Sequence, residues 1–281
     1  MALYLFVKLG EPTMRLLNLV LTVSIAFTLS ACGDTTGGQL TAANTDSIVN
    51  GKVVTKTTDL SQSTVAILFE DGGKFLSLCT GTFIAENVVL TAAHCVEEGN
   101  LYLTQNKSHP NGIKNKKDLM GVVTKSIVHD EADIALLQFS TYSASASYKV
   151  RALPKEDFVI PRDGKFEFIG YGLTGVYDDD AGILRSTSLP TKTMFKSLKI
   201  EGEQQVELGT IIIDQTEAGI CMGDSGGPLF VRSKSGEVTM VGNISAMKFW
   251  FNDELVQVNL LKATDLRTHL TWIKKSVKAL Q

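Results

Sequence analysis

A serine lies between an acidic residue and two glycines in the stretch GICMGDSGGPLF, residues 219–230. Glycines allow backbone conformations and close approaches that a Cβ would prevent, so Ser225 can be held on a sharp, exposed turn after Asp224. The pattern is typical of a nucleophile, and a plain surface turn is the alternative, because the same residue types dominate turns. A serine hydroxyl is a weak nucleophile until a base accepts its proton, so a base is needed from elsewhere in the chain.

The candidate bases are the four histidines. His109 lies in the polar stretch NKSHPNG and His269 on the polar side of a predicted helix, so we expect both at the surface. His129 has carboxylates beside it in VHDEAD, but no second histidine has the spacing of a metal ligand, and no metal is expected. His94 is different because it ends an apolar strand, next to Cys95. It is the favoured base.

Short β-rich runs with turn residues between them surround these positions: TVAILFE, LCTGTFIAENVVLTAAHC, DIALLQF, KFEFIGYG and EVTMVGNISAM. Strands of this length with little helical periodicity predict an all-β barrel or sandwich. The C-terminus is the exception, since apolar residues recur there at helical spacing and predict an amphipathic helix over about residues 265–279. These residues are Leu266, Leu270, Ile273, Val277 and Leu280.

Length and charge limit the classes of function. The chain has 281 residues and a formal net charge of −3, with 20% charged residues. This balance argues against binding to nucleic acid, which requires a basic patch or stripe. The length fits either two domains of ordinary size or one all-β unit.

The N-terminal segment predicts export. From Met14, a candidate for the true start, one basic residue is followed by a long apolar run and small residues before Cys32. The sequence LSAC at residues 29–32 resembles the lipobox of bacterial lipoproteins, whose cysteine is lipidated. We therefore expect a signal peptide over residues 1–32 and a membrane tether through Cys32. A plain cleavable signal and an uncleaved anchor are the alternatives.

Export has two further consequences. Residues 33–47 are small, polar and rich in glycine, so they predict a flexible spacer or pro-segment before the compact domain. In an oxidising compartment, Cys79 and Cys95 predict a disulfide that ties the turn of His94 to the neighbouring strand.

Several motifs, taken in order, resemble those of the trypsin or chymotrypsin-like serine proteases. They are CTGTFIAENVVLTAAHC, DIALL, GYG and GDSGGP, and the sequence IVNG at residues 48–51 resembles the activated N-terminus of the family. The likeness extends over about residues 48–278 and assigns residues 48–281 to one protease domain. It implies two six-stranded antiparallel β-barrels with the active site between them. It also implies a monomer that acts on proteins or peptides without a cofactor.

The resemblance implies a role for each motif residue. Ser225 would be the nucleophile, His94 the general base and then the acid, and Asp133 the carboxylate that orients the imidazole. Asp133 fits this role because it opens the apolar run DIALL, where a carboxylate needs a partner such as a ring N–H. The backbone N–H groups of Gly223 and Ser225 would form the oxyanion hole.

The resemblance also implies activation by cleavage before Ile48. The new ammonium would pair with Asp224 and shape the oxyanion hole and the specificity pocket, and loss of either charge would leave the other buried alone. Ser47 precedes the cut where a trypsin would need Arg or Lys. A pocket that prefers small side chains would accept Ser47, so we expect self-processing between neighbouring molecules.

The predicted specificity pocket departs from that of trypsins. Gly219 stands where trypsins have the acid that attracts basic side chains, so Arg and Lys are not the expected substrates. The sequence SAM, Ser245–Met247, stands where the family commonly has SWG, and it places Met247 where glycine would keep the pocket open. We expect a short, apolar, elastase-like pocket. Cys221 has no cysteine after it, and Cys32 is expected to be lipidated or removed, so a free thiol is expected at Cys221.

Two other functions compete with the exported endopeptidase. One is a catalytically silent relative that serves as a binding module in the cell envelope, against which the presence of all three triad positions argues. The other is a lipase-type hydrolase, which requires the order Ser, acid, His and not the order found here. The acidic stretch at residues 177–182 could bind calcium, but one run of carboxylates does not supply the roughly 6 to 8 oxygens of a dedicated site, and we expect a solvated loop.

Overall fold

The structure is a computed structural model that describes residues 51–96, 99–142, 147–175, 178–195, 198–200, 203–205, 209–251 and 257–281. The predicted signal peptide, Cys32, the spacer, Ser47 and Ile48 lie outside the described residues.

The described residues form sixteen strands and two α-helices. In chain order these are β1 (Lys52–Val53), α1 (Asp59–Ser63), β2 (Thr64–Asp71), β3 (Lys74–Ala85), β4 (Val88–Thr91), β5 (Leu101–Thr104), β6 (Gly121–Val128), β7 (Ala135–Thr141), β8 (Lys165–Gly170), β9 (Arg185–Pro190), β10 (Met194–Phe195), β11 (Leu198–Ile200), β12 (Glu203–Gln205), β13 (Thr210–Asp214), β14 (Pro228–Arg232), β15 (Val238–Phe251), β16 (Gln257–Asp265) and α2 (Leu270–Leu280). The predicted all-β class is confirmed.

The N-terminal half forms a closed antiparallel barrel of six strands, in the order β2–β3–β4–β7–β6–β5. Its strands consist largely of apolar and β-branched residues, which suit a pleated surface with one face buried. The side chains of Phe83, Leu90 and Leu103, on three of these strands, are fully buried. Closure pairs the edge strands with each other, so this barrel has no unpaired edge.

The C-terminal half is an antiparallel sheet of eight strands in half-barrel form, ordered β1–β9–β8–β14–β15–β16–β13–β10. Phe166, Phe168 and Leu229 are buried in its core. A two-stranded sheet of β11 and β12 is separate from it. The first of the two predicted six-stranded barrels is thus a closed barrel of six strands. The second is a more open sheet, of eight strands instead of six.

Helix α2 closes the chain, as the apolar spacing predicted. Leu270, Ile273 and Leu280 are buried, while the intervening lysines face solvent. The side-chain amide of Gln138 in β7 donates to the carbonyl of Leu280, which fastens the helix to the first barrel. No helix among the described residues is long and apolar enough to cross a bilayer.

The connections between strands bring the predicted catalytic residues together from both halves. His94 lies in a short 3-10 turn after β4, and Asp133 lies in the connection between β6 and β7. Ser225 lies just before β14, in the other sheet. The fold therefore holds the imidazole and the carboxylate on the barrel and presents the serine from the opposite side.

Candidate active site

The segment before β14 folds as a compact turn around Ser225. The Asp224 N–H donates to the Cys221 carbonyl at 3.2 Å, and the Gly227 N–H donates to the Asp224 carbonyl at 2.9 Å. Gly226 has a φ of +78°, and a Cβ on it would lie 2.0 Å from the Thr91 hydroxyl. Only glycine accepts both this φ and this contact, which explains the glycine directly after the serine.

His94 and Asp133 form a hydrogen-bonded pair. The His94 Nδ1 atom lies 2.9 Å from Asp133 Oδ2 and 3.1 Å from Oδ1, and the His94 backbone N–H also donates to Oδ1 at 3.1 Å. An ionised carboxylate only accepts hydrogen bonds, so the neutral imidazole carries its proton on Nδ1. This leaves Nε2 as a proton acceptor.

Further hydrogen bonds fix the acid in place. The hydroxyl of Ser245 in β15 donates to Asp133 Oδ2 at 2.5 Å, and the Thr264 hydroxyl donates to the Asp133 carbonyl at 3.1 Å. Burial opposes ionisation of Asp133, but the hydrogen bonds from His94 and Ser245 outweigh it and lower the pKa of this carboxyl. The same bond to Asp133 raises the pKa of His94 against the opposing effect of burial. A negative acid thus faces a more basic imidazole.

Thr80 in β3 docks the serine turn on the barrel. Its backbone N–H donates to the Ser225 carbonyl, and its hydroxyl donates to the Gly223 carbonyl, both at 2.9 Å. Across the described part of the chain, no hydrogen bond joins the Ser225 hydroxyl to the His94 ring. Such catalytic contacts are often long without substrate and shorten when it binds.

Two backbone N–H groups of the serine turn are available for a ligand. The amides of Cys221, Asp224, Gly226 and Gly227 all donate within the protein. Those of Gly223 and Ser225 have no acceptor among the described residues, nor has that of the exposed Met222. Gly223 and Ser225 are half-buried and flank Asp224, so their N–H groups are the two of this turn that could together bind a ligand oxygen.

Asp224 is buried behind the serine, with 1% of the residue exposed. Its carboxylate accepts the N–H groups of Gly172 at 2.8 Å and Cys221 at 2.9 Å. Burial raises the pKa of Asp224 to about 6, although these two bonds and the charge of Arg185 act in the opposite direction. The proposed partner of Asp224, the amine of Ile48, lies outside the described residues.

Comparisons with known proteins identify the family of the chain. The family model named Trypsin matches residues 48–250, more than half of the chain. The chain belongs to the trypsin family. It is 28% identical over 203 residues to chymotrypsin-like elastase family member 1 of Canis lupus familiaris. This match covers 64% of this chain and 74% of the relative. It is 27% identical over 221 residues to granzyme A of Bos taurus, and this match covers 73% of this chain and 81% of the relative.

Family membership makes this trypsin-family protein a serine-type endopeptidase that acts on proteins or peptides.

Its predicted pocket residue Gly219 lies against a side chain that the motifs did not reveal. A Cβ on Gly219 would lie 2.2 Å from Oε1 of Gln215, so the Gln215 carboxamide fills the space of a side chain at this position. Gln215 is buried, and its Oε1 accepts the N–H of Ile220 at 2.9 Å. Of the other two predicted pocket residues, Ser245 turns its hydroxyl toward Asp133, while Met247 is half-buried two residues further along β15.

The cysteines of the protease confirm one prediction and correct another. Cys79 and Cys95 form the predicted disulfide, with an S–S distance of 2.00 Å. With His94 they make the one group of three potential metal ligands found in the described ranges, but both sulfurs are engaged in that disulfide. Cys221 is also disulfide-bonded, so the prediction of a free thiol there is wrong. The prediction had assumed that Cys32, the one cysteine left besides the Cys79–Cys95 pair, is lipidated or removed.

The contacts described for the remaining histidines of the protease are with groups other than the serine. His109 was predicted at the surface but is buried; its Nδ1 lies 3.0 Å from the Asn106 carbonyl, its ring packs on Tyr171, and burial lowers its pKa. His269 is half-buried rather than fully exposed, and burial likewise lowers its pKa. His129 packs against it, with ring centroids 5.0 Å apart. Both line a cavity of about 460 Å³ that also reaches Asp133.

The carboxylates of the acidic stretch, which is described from Asp178 onward, bond other groups of the same chain. One oxygen of Asp180 lies 2.7 Å from a guanidinium nitrogen of Arg185, and the other accepts the Thr174 N–H at 3.1 Å. Asp178 accepts the Thr174 hydroxyl. Asp180 is therefore engaged by a cation of the chain, and the expectation that this loop binds no calcium stays a prediction.

Proposed function

We propose that the protein is an exported endopeptidase that cleaves peptide bonds through an acyl-enzyme, with Ser225, His94 and Asp133 as its catalytic triad. The observation that carries the proposal is the His94–Asp133 pair, 2.9 Å apart, on the barrel that docks the Ser225 turn through Thr80. The pair leaves Nε2 of the imidazole unprotonated and available to the serine hydroxyl.

The reaction follows from these contacts. His94 Nε2 takes the proton of the Ser225 hydroxyl while the oxygen attacks the peptide carbonyl, and Asp133 stabilises the imidazolium that forms. The N–H groups of Gly223 and Ser225 bind the oxygen that becomes negative in the tetrahedral intermediate. His94 then gives its proton to the leaving amine. Water, activated by the same imidazole, hydrolyses the acyl-enzyme.

A fluorophosphonate probe tests the triad directly. The form that starts at Ile48 should be labelled at Ser225, and the variants Ser225→Ala and His94→Ala should not. Thr193→Ala is a matched control, because this exposed hydroxyl bonds only the Pro190 carbonyl, away from the site. Absence of labelling in the folded wild type would contradict the proposal and favour a silent binding module.

We propose a preference for small, uncharged side chains before the cut. Gln215 supports this, because its carboxamide occupies the space over Gly219 where an acidic side chain would have to lie, and a neutral amide does not compensate a buried cation. A peptide library should therefore favour Ala, Val, Ser or Thr over Arg and Lys. A measured preference for Arg would mean that Gly219 does not line the pocket.

We further propose export through the segment 1–32 and activation when the chain is cut between Ser47 and Ile48. The lipid on Cys32 is not proposed, because it would leave the disulfide-bonded Cys221 without any cysteine of this chain to pair with. Disulfide formation at Cys79 and Cys95 supports an oxidising compartment. The buried Asp224 supports activation by a new amine, because this carboxylate needs a cation.

Self-processing is tested with a soluble chain that begins at Gly33. N-terminal sequencing over time should reveal an Ile48 terminus in the wild type, at a rate that rises with concentration. The Ser225→Ala chain should stay intact until active enzyme is added. Equal conversion of both purified chains would instead indicate an external protease.

A further inference from the structure

A buried cation at the start of β9 has no part in the triad. Arg185 is 3% exposed, and a charge removed from water requires an ion pair or hydrogen bonds. Its Nη2 pairs with Asp180 at 2.7 Å. Its Nη1 donates to the carbonyl oxygens of Gly172 and Asp180 at 3.2 Å and of Ile183 at 3.4 Å. The guanidinium is therefore held rigidly beside the backbone of Gly172.

The Gly172 carbonyl begins a relay of two peptide groups that leads to the candidate oxyanion site. In a trans peptide the C=O and the N–H point in opposite directions, and the described chain has no cis peptide. The peptide that offers its oxygen to Arg185 offers its N–H, that of Leu173, to the Met222 carbonyl at 2.8 Å. The N–H of this second peptide belongs to Gly223. We call the Gly172–Leu173 and Met222–Gly223 peptides the peptide relay.

Other contacts hold the relay in register. The Gly172 N–H donates to Asp224 at 2.8 Å, and a Cβ on Gly223 would lie 2.9 Å from the Cα of Gly172. The two backbones are thus in direct contact. On the other side, Asp180 joins Arg185 to the Thr174 N–H, which fixes the segment just after Leu173.

We propose that Arg185 is a positioning residue for the oxyanion hole, whose buried guanidinium orients and polarises the peptide relay so that the Gly223 N–H is aimed at the substrate oxygen. Hydrogen bonds arranged in series strengthen one another, most of all in surroundings of low dielectric. This series begins at the full positive charge of Arg185. A donor aimed in advance needs no reorganisation when charge develops. The inference rests on the proposed role of Gly223.

The role makes a kinetic prediction that a purely structural role does not make. The oxyanion exists in the transition state and not in the bound substrate, so loss of its alignment lowers kcat and leaves KM unchanged. It also weakens the binding of a peptide aldehyde, which forms a tetrahedral adduct with Ser225 and carries the same oxygen.

The experiment uses the enzyme that starts at Ile48 and the variants Arg185→Met, Arg185→Lys and Asp180→Asn. Loss of a whole oxyanion donor costs about 100- to 1,000-fold in kcat, so a misaligned donor in Arg185→Met should cost about 10- to 100-fold. KM should change by less than about twofold, and the affinity for the aldehyde should fall with kcat. Arg185→Lys should recover part of the loss, because it retains the charge without the fork. Arg232→Met is the matched control, since it breaks an ion pair with Glu167 in the same sheet, and its kcat should equal that of the wild type.

Each outcome decides the inference. An unchanged kcat in Arg185→Met, or a higher KM at unchanged kcat, overturns it. If Arg185→Met does not fold, Asp180→Asn carries the test, and an unchanged kcat in that folded variant overturns the inference equally. An inactive wild type would overturn the proposed function itself. An active wild type with an unaffected Arg185→Met variant would overturn the relay alone.

Discussion

Replacement of Asp224 by Asn should have little effect on stability before the chain is cut and a large destabilising effect afterwards. Asp224 is fully buried with a pKa raised to about 6 from its ordinary value of 3.8, so above pH 6 the uncut chain carries a carboxylate that folding makes unfavourable. A difference of about two pKa units corresponds to about 3 kcal/mol. Asn has a similar shape without the charge, but both carboxylate oxygens accept backbone N–H groups, so the NH2 of Asn would face one of these donors and leave it unsatisfied, at a cost of about 1 to 3 kcal/mol. The two effects oppose each other, so Asp224→Asn should change the stability of the uncut chain by less than about 2 kcal/mol at pH 7.

The pH dependence follows from the direction of the shift. A carboxyl whose folded pKa exceeds its unfolded pKa costs nothing below pH 3.8, where both states are protonated, and its cost grows until the folded group is ionised above about pH 6. The part of the effect that comes from removal of the charge should thus develop between pH 4 and pH 6. In the chain that starts at Ile48, the new ammonium compensates the carboxylate. There the same substitution leaves a buried ammonium unpaired and should destabilise by about 3 to 5 kcal/mol.

Urea unfolding measures both effects. The uncut chain, starting at Gly33, and the cut chain, starting at Ile48, are prepared in the Ser225→Ala background, so that neither is processed during the assay. Asp214→Asn is the control, because this partly exposed carboxylate bonds only Thr216 two residues away. Its effect should be small and equal in both chains. If Asp224→Asn changes the free energy of unfolding equally in both chains, the pairing of Ile48 with Asp224 is refuted.

Three further predictions follow from the site. Ser225→Ala and His94→Ala should each lower kcat by several orders of magnitude, and the double variant should lose little more, because the two residues act as a unit; multiplied losses would argue against shared roles. Because Asp133 raises the pKa of His94, and the base must be neutral, kcat/KM should rise with pH around a midpoint above 6.5. In Asp133→Asn that midpoint should move to lower pH and the activity should fall sharply; an unmoved midpoint would assign it to another group. Gln215→Ala should deepen the pocket and shift a peptide-library profile toward larger apolar residues, whereas the remote Gln105→Ala should leave the profile unchanged, and identical profiles would exclude Gln215 from specificity.

Local sequence was sufficient where short-range patterns decide the structure. Alternating and continuous apolar runs predicted the strands, and apolar spacing predicted the helix that the structure forms from Leu270 to Leu280. The Cys79–Cys95 disulfide followed from the export signal and the position of the two residues. The glycine that follows the serine was interpreted as a conformational requirement, and Gly226 indeed has a positive φ and no room for a Cβ.

Contacts between distant segments were decided by the tertiary structure. His109 lies in a polar stretch, yet it is buried because its ring packs on Tyr171, which is 62 positions further along the chain. Cys221 was predicted to be free because no cysteine follows it and Cys32 was expected to be lipidated or removed, but Cys221 is disulfide-bonded. The local sequence around Gln215 carries no motif that would identify its contact with Gly219, and the motif that contains Thr80 does not reveal that this residue docks the serine turn.

The sequence by itself determined the all-β class, the C-terminal helix and the identity of the residues that could form a triad, because those depend on residue type, periodicity and motif. The tertiary structure alone decided how His94 meets Asp133 across 39 positions of the chain, and how Arg185 reaches the backbone of Gly172. Such contacts depend on strand register and on the burial of a charge that must find partners, and neither is encoded in the neighbouring residues. The types of the reactive groups are set by the local sequence. Which ring nitrogen of His94 carries the proton, and where the N–H of Gly223 points, depend on the whole fold.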